Sequence, residues 1–137
     1  MRNLFVIICS VLLFVSCKET KNSRALGDEN AGKTLIGWYY YNLGEEKYDD
    51  LKQYLDEDFF KTTSEAEFYN KLKQRQAEYG HIIKAVFQDG DLTEENKKEK
   101  IKEFEFEYKV QYEKSEVVEK FHLIKRENEF KIAKIDF

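Results

Sequence analysis

A surplus of positive charge is missing from this chain. Lysine and arginine number 23 against 27 aspartates and glutamates, a formal net charge of −4. Phosphate neutralisation needs a basic patch, so nucleic acid is not an expected partner. The same balance argues against electrostatic attachment to anionic lipid. Cysteine is scarce too: Cys9 and Cys17 are the only two. The chain beyond residue 17 therefore forms no disulfide within itself and offers no thiolate metal ligand or cysteine nucleophile. No glycine-rich phosphate loop occurs, and no serine sits in a nucleophile-elbow pattern. No apolar run approaches the roughly 20 helical residues that span a hydrocarbon core. Proline is absent, whereas aromatics make up 15% of the chain. With β-branched residues also plentiful, disorder is not expected beyond residue 30.

What is present begins at the N-terminus. Arg2 is followed by a run from Leu4 to Val15 that is apolar except for Ser10, then by Ser16 and Cys17. A charged start, a short apolar stretch and a small residue at the cut are the grammar of a secretory signal. Leu13-Phe14-Val15-Ser16-Cys17 resembles the lipobox of bacterial lipoproteins. That pattern prefers Leu three residues before the cysteine, where this chain has Phe14, with Leu13 one step earlier. The resemblance implies loss of the signal peptide, residues 1–16, and lipid attachment at Cys17, with a diacylglyceryl group on sulfur and a further palmitate-like chain on the amine. One acyl chain binds a membrane only marginally, but at about 0.8 kcal/mol per buried methylene two or three hold essentially permanently. Arg2 is the only charged side chain ahead of Cys17, so processing takes the side-chain total from −4 to −5. The expected location is the cell envelope, on the periplasmic or surface face of the outer membrane. Lys18-Glu19 loosely resembles the surface-export signals of some Gram-negative lipoproteins, and reads more simply as part of a charged tether.

Residues 17–30 show no apolar period and read as the lipidated cysteine plus a flexible tether of roughly 20 Å. Residues 31–137 read as one domain, long enough to bury one core. A helix is predicted over Ala31–Leu43, with one stripe of Ala31, Leu35, Trp38 and Asn42 and a neighbouring one of Ile36, Tyr39 and Leu43. Gly44 is expected to supply its left-handed end. A second helix is predicted over Asp49–Phe60, capped by Asp49 or Asp50 and burying Leu51, Leu55 and Phe59. A third starts at Ser64, with Glu67 completing a capping box, and stops at Gly80. The period then changes to two. His81–Gln88 reads as a strand, Asp89-Gly90-Asp91 as a turn and Thr93–Lys100 as a solvated loop or hairpin tip. Phe104, Phe106, Tyr108, Val110 and Tyr112 alternate with Glu103, Glu105, Glu107, Lys109 and Gln111, which marks a half-buried strand. Val117–Arg126 and Phe130–Phe137 read as two more strands, joined at Glu127-Asn128-Glu129. Three helices followed by a four-stranded antiparallel meander define an α+β fold with the helices on one face of the sheet. A sheet of this kind curves strongly and leaves room for a conical pocket at one end.

Tyr79-Gly80 at the helix-to-strand step and Phe130-Lys131-Ile132 in the last strand are similar to corresponding places in small nuclear transport factor two-like (cystatin-like) domains of secreted bacterial proteins. The family often has Trp at the position of Phe130. The resemblance covers about residues 31–137 and implies a curved sheet closed over helices as a cone. That superfamily holds enzymes, ligand binders and structural modules, so it does not decide the activity. Its enzymes use a His/Asp pair within the cone, which here implies His122 with Asp136, provided the two lie within about 4 Å on one sheet face.

Other constellations point less far. His81 and His122 make a metal pair only if their faces converge near a carboxylate. Asp89–Glu95 begins like a calcium loop but has Glu94 and Lys100 where Gly and Glu are required. Glu45, Glu46, Asp49, Asp50, Asp56, Glu57 and Asp58 form an acidic stretch, read as a solvated helix face or as a dock for a basic partner. Trp38-Tyr39-Tyr40-Tyr41 fans around a helix, so at least one ring must be exposed or line a cavity. These readings lead to a membrane-anchored, non-enzymatic binding or assembly module with no cofactor. Its partner is an envelope protein or a small apolar ligand, and its ligand region is formed by Trp38, Tyr41, Tyr108, Tyr112 and His122. The alternatives are a pocketless module using the acidic face, and a small hydrolase or isomerase using His122 and Asp136.

Overall fold

The alternating aromatics of residues 104–112 form one face of a central strand, and the other elements are arranged around that face. The computed structural model describes residues 19–137; the signal peptide and Cys17 lie outside the described residues. The order is α1 (Glu19–Gly44), two 3₁₀ segments (Tyr48–Tyr54 and Phe59–Lys61), α2 (Glu65–Tyr79), β1 (Ile82–Asn96), β2 (Ile101–Tyr112), β3 (Glu116–Arg126) and β4 (Glu129–Asp136). The fold is α+β, helices before strands, and the antiparallel sheet has the meander order β1-β2-β3-β4. Phe104, Phe106 and Tyr108 stand opposite Leu123, Phe121 and Glu119 across the β2–β3 ladder. Together with residues of the helices they bury one side of the sheet, while Glu103, Lys109, Val118 and Lys120 on the other side face water.

The expected tether is corrected by the extent of α1. This helix begins at Glu19, twelve residues before the predicted start. Its buried positions run Asp28, Gly32, Ile36, Tyr39, Tyr40, Asn42 and Leu43, a single helical stripe. The first two members are an acid and a glycine, so hydrophobic periodicity could not show them. Asp28 is held by Lys125 at 2.6 Å and Lys102 at 2.9 Å. Burial works against its charged form, but the hydrogen bonds from the two ammonium groups prevail and lower its pKa.

Gly32 lets α1 approach the sheet. A Cβ there would lie 2.6 Å from the Phe106 ring and 3.0 Å from Leu123, whereas one at Gly37 would meet nothing within 4 Å. Helix propensity alone favours alanine at both positions by about 0.5–1 kcal/mol. Gly37→Ala is therefore expected to raise the denaturant midpoint. Gly32→Ala is expected to lower it, because overpacking costs about 1–3 kcal/mol. Equal shifts in urea titrations of the two variants would contradict this packing.

Three other local expectations change. The second helix is broken into two 3₁₀ segments because Leu55 is extended and bridges Ile132 of β4. The Asp56 N–H then donates to the Ile132 carbonyl at 2.8 Å, which partly closes the β4 edge. No side chain caps the first 3₁₀ segment; Asp49 and Asp50 occupy its first turn. Asp89-Gly90-Asp91 is not a turn: β1 runs on to Asn96, with register shifts at Ile82/Lys84, Phe87/Asp89 and Leu92/Glu94. Such bulges twist and disrupt an otherwise open edge strand, which discourages further pairing. Gly90 is needed for close approach, since a Cβ would sit 2.9 Å from Phe106. Gly44 ends α1 without a left-handed conformation, which falls on Glu46 instead (φ 58°). The Ser64/Glu67 capping box forms as predicted, and Gly80 closes α2 at φ 83°.

Candidate functional site

Among the described residues the charged group most deeply enclosed is the carboxylate of Glu119. It occupies the inward phase of β3, the phase of Phe121 and Leu123, and is 0% exposed. Four elements supply the group and its partners. Tyr40 of α1 donates its hydroxyl to Oε2 at 2.7 Å. Tyr112 of β2 donates to Oε1 at 2.9 Å. Arg75 of α2 donates Nη2 to Oε1 at 2.6 Å. The Arg75 guanidinium also lies over the rings of Phe137, Tyr79 and Tyr112, with centroids 4.8, 5.4 and 5.8 Å away. A carboxylate facing two hydroxyls and a guanidinium is matched as an acceptor by three donors. Burial raises the Tyr40 and Tyr112 hydroxyl pKa values, and the Glu119 charge raises them further. Both phenols therefore stay neutral donors through the ordinary pH range. Burial opposes the Arg75 charge, but Glu119 more than restores it.

Two hydroxyls that sequence reading could not separate behave differently. Tyr40 bonds Glu119, whereas Tyr39, equally enclosed, has no partner for its hydroxyl. Removing an unpaired buried polar group is neutral or favourable, and removing a donor to a charged group costs about 1.5–3 kcal/mol. Tyr39→Phe should keep or raise the melting temperature and Tyr40→Phe should lower it. The reverse order in calorimetry would overturn the assignment of donors.

Beside Arg75 and Tyr112 is a crevice of about 20 Å³, lined also by Leu43, Leu72, Gln76 and Ile82. That volume accommodates about one water molecule. The space expected for a ligand at this end is therefore filled by side chains. The Glu119 cluster acts as a clamp that ties both helices to β2 and β3.

The residues expected to form a ligand region are not brought together. Tyr108 and Tyr112 are buried on the inner face, while Trp38 and Tyr41 are 55% and 53% exposed on the outer side of α1. The helical phase explains this. Ile36, Tyr39, Tyr40 and Leu43 share the buried stripe, and positions 38 and 41 fall on the opposite side. Trp38 and Tyr41 meet edge to face at 5.8 Å, and the Lys47 ammonium lies 5.5 Å from the Tyr41 ring. His122 is on the outer sheet face. Its Nε2 is 2.7 Å from Asp136 Oδ2, and its Nδ1 is 3.7 Å from Glu105. The predicted His122–Asp136 pair thus forms, but on the side of the sheet that faces water. Burial works against ionisation of Asp136, while hydrogen bonds from Lys134 and His122 prevail and lower its pKa.

His81 and His122 do not converge. His81 lies after α2 near Gln76 and Glu46, and among the described residues no cluster of three or more potential ligands could hold a metal ion. The calcium-like segment lies in β1 rather than a loop. Part of the acidic stretch is used within the fold: Asp56 is buried against Arg126, Asp58 pairs with Lys61, and Glu46 accepts from Gln76. Among the described residues no helix is long and apolar enough to cross a membrane. No protein-family model matches the chain, and comparison with curated proteins finds no match.

Proposed function

We propose that this protein is a lipid-anchored, non-catalytic interaction module of the cell envelope, with a nuclear transport factor two-like (cystatin-like) architecture. The anchor is Cys17, supported by the lipobox-like sequence before it. The observation that carries the interaction reading is the Trp38–Tyr41 pair, two large aromatic rings standing in water on α1, while the crevice at the Tyr112 end holds only about 20 Å³. Tryptophan and tyrosine are enriched at the energetic centres of protein interfaces. The partner is an envelope protein that covers this pair. A photo-crosslinking amino acid at position 38, in cells, should yield a discrete adduct that is lost in Tyr41→Ala and in Cys17→Ser. The same probe at Lys134, on the outer sheet face, should yield none. Identical adducts from both positions would defeat the proposal.

A second reading rests on the His122–Asp136 distance. A histidine and a carboxylate at 2.7 Å have the geometry of an acid–base unit of a small hydrolase or isomerase. It stands on an open face with Lys134 and Glu105 beside it, without walls to orient a substrate. The interaction reading is therefore preferred. A turnover assay in which His122→Ala abolishes activity would reverse that preference.

A further inference from the structure

We infer that α1 is a rigid stalk that fixes the orientation of the domain on the bilayer, with the β1–β2 and β3–β4 turns toward the lipid surface and the Trp38–Tyr41 pair held away from it. The inference rests on the proposed acylation of Cys17. The helix begins at Glu19, two residues beyond that cysteine, a separation that even an extended chain covers in about 7 Å. A flexible tether of the expected kind would have let the domain tumble.

Three contacts along α1 set its direction over the sheet. Asp28 pairs with Lys102 and Lys125, which lie next to the turn ends of β2 and β3. Gly32 lies against Phe106 and Leu123. Tyr40 bonds Glu119 and packs on Tyr108. The helix therefore runs in the direction of β2, and its N-terminal end leaves the body beside residues 97–100 and 127–128. The buried Asp28 clamp prevents it from swinging away from the sheet. At 1.5 Å per residue, Trp38 stands about 28 Å along the helix from Glu19. The aromatic pair is thus presented at a height suited to a partner in the aqueous compartment, and the turn end faces lipid. Lys97, Lys98 and Lys100 at that end are balanced by Glu94, Glu95, Glu99 and Glu127, so the stalk, and not charge attraction, sets the orientation.

The test uses the full acylated chain in phosphatidylcholine/phosphatidylglycerol vesicles that contain a headgroup-nitroxide lipid. A fluorophore is placed at Lys98→Cys, in the β1–β2 turn, or at Lys114→Cys, in the opposite β2–β3 turn. Quenching at position 98 should exceed that at 114 several-fold. A short Gly/Ser insertion between Lys18 and Glu19 should abolish the difference while leaving the fold intact. Equal quenching at both positions in vesicle-bound protein would overturn the stalk alone. A difference that survives the insertion would show that the turn end binds lipid by itself, and would overturn it as well. Protein that fails to float with the vesicles would overturn the anchor, and with it this inference.

Discussion

Replacing Arg75 with methionine is expected to destabilise the protein by about 3–5 kcal/mol, because it leaves the Glu119 charge buried without its countercharge. The two hydroxyl donors remain, but neither carries charge. At roughly 4 °C per kcal/mol for a domain of this size, the melting temperature falls by about 12–20 °C. The double variant Arg75→Met with Glu119→Leu removes both charges and should recover most of the loss, since apolar replacements of buried pairs are often neutral or better. Denaturant titrations of both variants at pH 7 check the two statements. A single variant as stable as the parent, or a double variant no more stable than the single one, would mean that the pair is not buried as described.

The second large effect is expected at Phe121. This ring is 0% exposed and lies 5.5 Å from the rings of both Tyr39 and Tyr40 and 5.8 Å from that of Tyr108. It stands opposite Phe106 in the ladder. Truncation to alanine removes these ring contacts between α1 and the middle of the sheet and leaves a cavity, at a cost of about 3–5 kcal/mol. Domains of this kind have a total stability of only about 5–15 kcal/mol, so the variant should be close to unfolding at 37 °C. Val118, three residues earlier and half exposed on the outer face, provides the contrast. Val118→Ala should change stability by no more than about 0.5 kcal/mol. Comparable losses in the two variants would place the core on the wrong face of the sheet.

The parts of this fold that were legible in the sequence are those governed by period and by local chemistry. β2 could be read residue by residue because five apolar side chains alternate with five polar ones. The start of α2 could be read because Ser64 and Glu67 satisfy each other's backbone donors across three residues. Elements shaped by distant contacts were not legible. The first part of α1 is helical against the sheet because Asp28 finds Lys102 and Lys125, and nothing in residues 19–30 shows that those lysines are near. Leu51, Leu55 and Phe59 have helical spacing, yet pairing with β4 takes Leu55 out of a helix. Gly90 looked like a turn residue because the Phe106 ring that requires it belongs to another strand.

The candidate site was legible only in part. His122 and Asp136 meet as their strand positions allow, although the phase of β3 places them on the water-facing side. Tyr40, Arg75 and Glu119 were overlooked. Glu119 did carry a signal: it is the one acid in the inward phase that Phe121 and Leu123 define, and an acid in that phase needs a buried cation. Its partner, Arg75, is the single arginine of α2 and lies one helical turn beyond Leu72, on the same buried side. Trp38 and Tyr41 were read as part of a ligand region with Tyr108 and Tyr112, but the side of the helix they occupy depends on which of two adjacent stripes the sheet buries.

The anchor is tested most directly by the intact mass of the protein purified from the membrane fraction. The account predicts a chain that starts at Cys17 and carries a diacylglyceryl group and a further acyl chain, with no such species in Cys17→Ser. A full-length product, or one that starts at Cys17 with a free thiol and amine and is recovered in the soluble fraction, would contradict it.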